Sequence, residues 1–201
     1  MFRRLLIYSQ LLLFGGVAVC ITLIPKGLSS NNGISYYGTH IITFSPYITA
    51  IIGSSLLGLI ATSKYVASSS LNYVKPIMTT IFLLSIGIVL TPYIINPLIG
   101  DAHELLGAIL FTLQLFLSFK IAMTVRKDFI NIFLLLLELS GGIISAMYLL
   151  PSRGFLIQGE LLFQLAFGLI MIRSAIDLSK RGGWIRRVAN HSSRVSIKKH
   201  S

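Results

Sequence analysis

The sequence predicts an all-α polytopic membrane protein, a six-transmembrane-helix bundle with its N and C termini in the cytoplasm. Three observations carry this. The 201 residues are 54% hydrophobic and only 11% charged, where a soluble domain carries about 25% charged residues. The mean hydropathy is +0.83. The apolar residues gather in six runs of the length that crosses a hydrocarbon core, about 18 or more. A chain this poor in charge cannot cover a globular surface, which excludes a soluble enzyme fold.

The runs are Leu5–Ile24, Tyr47–Tyr65, Ile77–Ile99, Leu105–Val125, Phe129–Leu150 and Phe155–Leu178. The first lacks a small-x-small cleavage site, so it reads as an uncleaved span rather than a secretory signal. It holds the chain's single cysteine, Cys20, which forbids an internal disulfide and any cysteine-based metal cage. Val19 precedes Cys20 where a lipidation signal needs a small residue, so Cys20 is a packing residue. Pro92 lies near the outer end of the third run and predicts a kink. Asp101 and Glu104 open the fourth with the spacing of a capping box.

Basic residues set the orientation. Arg3, Arg4, Lys64, Lys75, Lys120, Arg126 and Lys127 fall on one side, and only Lys26 and Arg153 on the other. The chain therefore divides into a transmembrane domain, 1–179, and a basic cytoplasmic tail, 180–201. The tail holds seven basic residues and no acidic one. Its Trp184, Ile185 and Val188 share one face of a short helix. Trp184, Arg186, Arg187, Lys198 and Lys199 suit anionic lipid headgroups at the cytoplasmic leaflet, in the plasma (inner) membrane. A basic tail follows from this topology without nucleic acid as a partner.

Small residues mark close helix contacts in lipid. Ala50, Ser54, Gly58 and Thr62 form one stripe on the second span, and Gly141 with Ser145 another on the fifth. Polar residues inside spans are costly and informative. Gln114, Glu138 and Gln164 fall near mid-depth on three consecutive spans and predict a buried polar layer. Two arrangements lower the cost of Glu138. It stays protonated and hydrogen-bonds the two amides, or a long cation, Arg173 or Lys120, reaches it. The layer is an interhelical clamp or a proton-titrating or substrate-contacting site.

At the outer rim His40, Asp101, His103, Glu104 and Glu160 are candidates for a common pocket. They lack the fixed ligand order of a zinc site, and paired histidines for a haem are missing. The serines of "GSSLLG" have no embedded histidine for intramembrane proteolysis. No cofactor, metal or catalytic residue is predicted.

Two short motifs resemble a known family. "GISYYG", with Ile34, Ser35 and Gly38 followed by Pro46, and His103 followed by Gly107, Ala108 and Phe111, resemble the six-pass membrane proteins of the DRAM/FGF-receptor-activating-protein superfamily and its bacterial relatives. The family often has an acidic residue after the serine, where this chain has Tyr36. The resemblance covers the bundle and not the tail. It implies a non-enzymatic membrane protein, tied in eukaryotic members to lipid organisation or signalling. The expected function is thus non-catalytic: binding of lipid or of a partner membrane protein. The alternative is a small transporter or proton-linked carrier using Glu138, Gln114 and Gln164.

Overall fold

The structure is a computed structural model. It describes the backbone of residues 2–29, 33–63, 71–125, 127–147 and 155–198, and side chains within these stretches from Arg3 to Leu178. Lys64, Arg126 and Arg153 lie outside the described residues. So do the side chains of Trp184, Ile185, Arg186, Arg187, Val188, Lys198 and Lys199 in the tail.

The described chain is all-helical. Its long helices are α1 (Phe2–Leu23), α2 (Ile41–Ser63), α3 (Val74–Leu90), α4 (Pro97–Val125), α5 (Phe129–Ala146) and α6 (Leu156–Lys198). Five of them, all but α3, are long and apolar enough to cross a membrane, which makes this a membrane-integral protein. Short 3-10 turns, Pro25–Ser29 and Ile34–Thr39, fill the connection between α1 and α2.

The helix ends correct the sequence reading in two places. The third run was expected to continue to Ile99 with a kink at Pro92. Instead α3 stops at Leu90 after 17 residues, about 26 Å at 1.5 Å per residue. Residues Thr91–Asn96 form a turn, because Pro92 and Pro97 disfavour helix at the residues before them. α4 starts at Pro97, a turn earlier than the Asp101–Glu104 capping box required. The cap is Asn96, whose Oδ1 accepts from Ile99 N at 2.8 Å, with Pro97 at the first helical position. Asp101 and Glu104 therefore lie inside the helix, both exposed.

Consecutive helices run antiparallel. Gly16 meets Ala50 and Gly58 meets Met78, so closely that a Cβ added at either glycine would stand 2.7 or 3.1 Å from its neighbour. The stripe Ala50, Ser54, Gly58 and Thr62 is buried, as small residues at a helix contact should be. α1, α2, α3, α4 and α6 form a ring, closed where Gly168 of α6 packs on Gln10 of α1. α5 seats outside the ring against α4 and α6. Its approach to α6 is backbone to backbone: a Cβ on Gly141 would lie 2.5 Å from Phe163 N, and one on Gly159 equally near Ser145 N.

The buried side chains form two clusters. One, around Leu71, Leu117, Ile121 and Ile170, lies at the end of the bundle that carries the N-terminus. The other, around Val17, Tyr37, Tyr47 and Ile157, lies at the opposite end, under the connection between α1 and α2. The latter is called the loop end below. Hydroxyls within the helices bond to carbonyls one turn back, Thr62 to Gly58 and Ser85 to Ile81 among them. This keeps polar side chains satisfied in an apolar setting.

Candidate functional site

A cavity of about 490 Å³ runs down the centre of the ring, within the roughly 300–1,000 Å³ of small-molecule sites. Its deep part is walled mainly by apolar side chains, Leu6, Met78, Ile81, Phe167 and Met171, with Ser9, Gln10, Ser85, Gln114 and Gln164 also on the lining. Its loop end is polar, with Ser35, Tyr47, Tyr93, His103, Glu104 and Glu160. Ile51 reaches the cavity from a widened, π-helical turn of α2, Thr49–Gly53, that follows Pro46, and Ser54 and Ser55 reach it from the α-helical turn that comes next. Such a bulge rotates the residues after it relative to those before.

The polar end is built by long-range contacts. His103, on the second turn of α4, places Nδ1 2.7 Å from the Thr91 carbonyl and Nε2 2.8 Å from Ser35 Oγ. A carbonyl can only accept, so Nδ1 donates to it; when the ring is neutral, Nε2 then accepts from the Ser35 hydroxyl. The two stretches that carry the family resemblance therefore meet here. Tyr93 sits edge-on to His103 at 5.9 Å, and Ser35 is a side-chain hydrogen-bonding neighbour of Tyr47.

Glu160 of α6 fixes the other side. Its Oε2 accepts from Ile34 N at 2.6 Å, which satisfies a free donor at the start of the Ile34–Thr39 turn. Gly33 precedes it with φ 63° and ψ −161°, a region essentially confined to glycine. A Cβ there would also stand 2.6 Å from Glu160 Oε1. Behind the turn Tyr37 is fully buried. Burial pushes its phenol above the ordinary value, its near neighbours Cys20 and Tyr36 adding to this.

Of the rim residues predicted to converge, His103, Glu104 and Glu160 do so at the cavity. His40 and Asp101 do not line it. His40 turns back on its own loop, with Nδ1 3.0 Å from the Tyr36 carbonyl and from Thr39 Oγ1, and its ring against Tyr36 at 4.4 Å. Asp101 is exposed. Among the described residues no three His, Cys, Asp or Glu side chains are placed to hold a metal ion.

Of the mid-depth residues, Gln114 and Glu138 are buried and Gln164 is half-buried, and the three do not form one hydrogen-bonded layer. Gln114 and Gln164 pair reciprocally, each amide donating to the other at 3.2 and 2.9 Å. That pairing leaves Glu138 to find another partner. Its Oε1 accepts from Ser118 Oγ at 3.0 Å, one turn along α4 from Gln114. Its Oε2 has no partner among the described residues. The side chain is fully buried and does not line the cavity.

Neither predicted cation reaches Glu138. Arg173 extends the other way and pairs with Asp128 at 2.9 Å, its Nε donating to Asn131 Oδ1 at 3.1 Å. The long side chain follows its charge toward the end of the bundle, where a carboxylate already caps α5. Asp128 Oδ1 accepts from Asn131 N at 2.9 Å. Lys120 is exposed, its ammonium 5.6 Å from the centre of the Phe116 ring.

Sequence reasoning passed over Ser35, Tyr47, Tyr93 and Ser118 as site residues, and Asp128 as a partner. An Asp before the apolar run of α5 is a recognisable N-cap signal. Ser118, four residues after Gln114, shares its helix face. Tyr47 and Tyr93 carry no local signal of that kind. No family model, curated protein or solved structure matches the chain.

Proposed function

We propose that this protein is a non-catalytic membrane protein that binds a lipid-like amphiphile inside its helix ring. The observation that carries the reading is the cavity itself. It has a mainly apolar shaft among α1, α2, α3, α4 and α6, interrupted by Ser9, Gln10, Ser85, Gln114 and Gln164, and a polar end lined by Ser35, His103 and Glu160. That division matches a molecule with a hydrocarbon chain and a polar head.

The reading includes the six-span topology with both termini cytoplasmic. The loop end then faces away from the cytoplasm, and the turn Thr91–Asn96 completes the crossing that α3 begins. Lys and Arg counts on the two sides support this orientation. The basic tail then lies on the anionic cytoplasmic leaflet. The non-enzymatic character implied by the family resemblance agrees with the reading. The carrier alternative has less support, since Glu138 is packed behind α4 and away from the cavity.

The test is native mass spectrometry of protein released from a mild detergent. The reading expects a retained adduct of lipid-like mass that leaves as an intact small molecule on activation. Protein that appears bare from several membrane sources, while still folded, would contradict it.

A further inference from the structure

The polar end of the cavity is rich in hydrogen-bond acceptors and holds two carboxyl groups. The chain has 17 Lys and Arg residues, yet among the described residues none lines the cavity. Of the six acidic residues, two do, Glu104 and Glu160, and both sit at the polar end. In a chain of net charge +11, the described Lys and Arg side chains thus stand away from this space.

The neutral polar groups there have the same bias. His103 Nδ1–H is taken by the Thr91 carbonyl, and in the neutral ring Nε2 takes the Ser35 proton. What Ser35 still offers a ligand is lone pairs. Ser145 adds an independent mark. It lines the cavity, is 7% exposed, and its Oγ has no partner among the described residues. It belongs to the same end, since a Cβ built on Gly159, next to Glu160, would lie 2.5 Å from that oxygen. A buried hydroxyl without a partner is the group a ligand is expected to satisfy. Tyr47 and Tyr93 supply aromatic faces, which attract cations.

An anionic head such as a carboxylate or phosphate would meet two carboxyl groups here and, among the described residues, no cation. A protonated or quaternary amine would find acceptor oxygens, two carboxyl groups and aromatic rings. We propose that the cavity selects an amphiphile with a positively charged amine head, seated among Glu104, Glu160, Ser35, Ser145, Tyr47 and Tyr93, with its chain in the apolar shaft. This rests on the amphiphile reading above and specifies the ligand's chemical class.

The test is photolabelling of the full chain in zwitterionic-lipid nanodiscs. Three probes share a diazirine-bearing tetradecyl chain and differ in head: trimethylammonium, maltoside and carboxylate. Adducts are mapped by peptide mass spectrometry to shaft residues such as Met78, Ile81 and Met171. The cationic probe is expected to half-saturate these sites at about one tenth of the concentration the carboxylate probe needs, the factor that corresponds to one favourable charge contact. Glu104→Gln and Glu160→Gln should each narrow that ratio. Because Glu160 also anchors Ile34, the exposed Glu104 keeps the test decisive if Glu160→Gln fails to fold. Equal labelling by cationic and maltoside probes, or stronger labelling by the carboxylate, overturns the cationic head and leaves the amphiphile reading standing. An unchanged ratio in Glu104→Gln overturns its place in the head site. Failure of every head to label the shaft overturns both proposals.

Discussion

Replacing Gly33 by alanine should loosen the polar end of the cavity by a calculable amount. Gly33 holds φ 63° and ψ −161°. A non-glycine residue in that region costs about 1–3 kcal/mol. The new methyl would also stand 2.6 Å from Glu160 Oε1, too close for any real contact, so the carboxyl must move. Movement weakens the 2.6 Å bond from Ile34 N, and a buried donor left unpaired costs about 1–3 kcal/mol. The two effects together come to about 2–6 kcal/mol. The assay is thermal unfolding in detergent, paired with a double-mutant cycle of Gly33→Ala and Glu160→Gln. The carboxyl is common to both changes, so their costs should sum to more than the double variant shows. A Gly33→Ala protein within about 0.5 kcal/mol of wild type, or strict additivity, would refute the argument that the glycine exists to admit Glu160.

Three further outcomes follow from the same geometry. Gln114→Leu or Gln164→Leu strands one amide of a reciprocal pair. Each should cost about 0.6–2 kcal/mol, and the double leucine variant should be less destabilised than the sum, as read by chemical unfolding. Asp128→Ala should destabilise more than Arg173→Ala, because Asp128 both caps α5 and pairs with Arg173. The capping share is about 0.5–2 kcal/mol, and equal losses in a thermal melt would count against the dual role. Tyr37 is buried, its hydroxyl without a partner among the described residues, and its phenol is held above the ordinary 10.0. Below that value both states keep the proton. Above it the unfolded chain releases its proton first, so stability falls as pH rises beyond 10. Tyr37→Phe should match or exceed wild-type stability at neutral pH and show a shallower alkaline loss in a pH series of melts.

The apolar runs made the helices legible, because membrane crossing demands length and continuous hydrophobicity, and both are local properties. The small-residue stripe from Ala50 to Thr62 was legible for the same reason. Helix ends were less so. Pro92 and Pro97 bracket a short segment that hydropathy alone joins to α3, and Asn96 competes with Asp101 as the cap. The polar layer was legible as a set of depths but not as a set of partners. Depth follows from residue number, whereas partnership depends on helix rotation, which let Gln114 and Gln164 satisfy each other and gave Glu138 to Ser118. Arg173 went to Asp128 because a cap carboxylate near the bundle end is easier to reach and better solvated than an acid in the core. The cavity mouth was half legible. His103, Glu104 and Glu160 share a level, but Ser35, Tyr47 and Tyr93 come together only through the fold of the 25–46 connection.

The account stands on an amphiphile in the central cavity, and Gly107 offers the most direct test of it. Gly107 lines the cavity, and a Cβ added there meets nothing within 4 Å. A large side chain at this position enters open space, and replacing glycine within a helix costs no propensity. The measurement is saturable binding of the tetradecyl trimethylammonium probe to Gly107→Phe and to wild-type protein in the same nanodiscs, alongside their melting temperatures. The account predicts a variant at least as stable as wild type that has lost most of the probe's saturable binding. A stable Gly107→Phe protein that binds the probe as wild type does would contradict it.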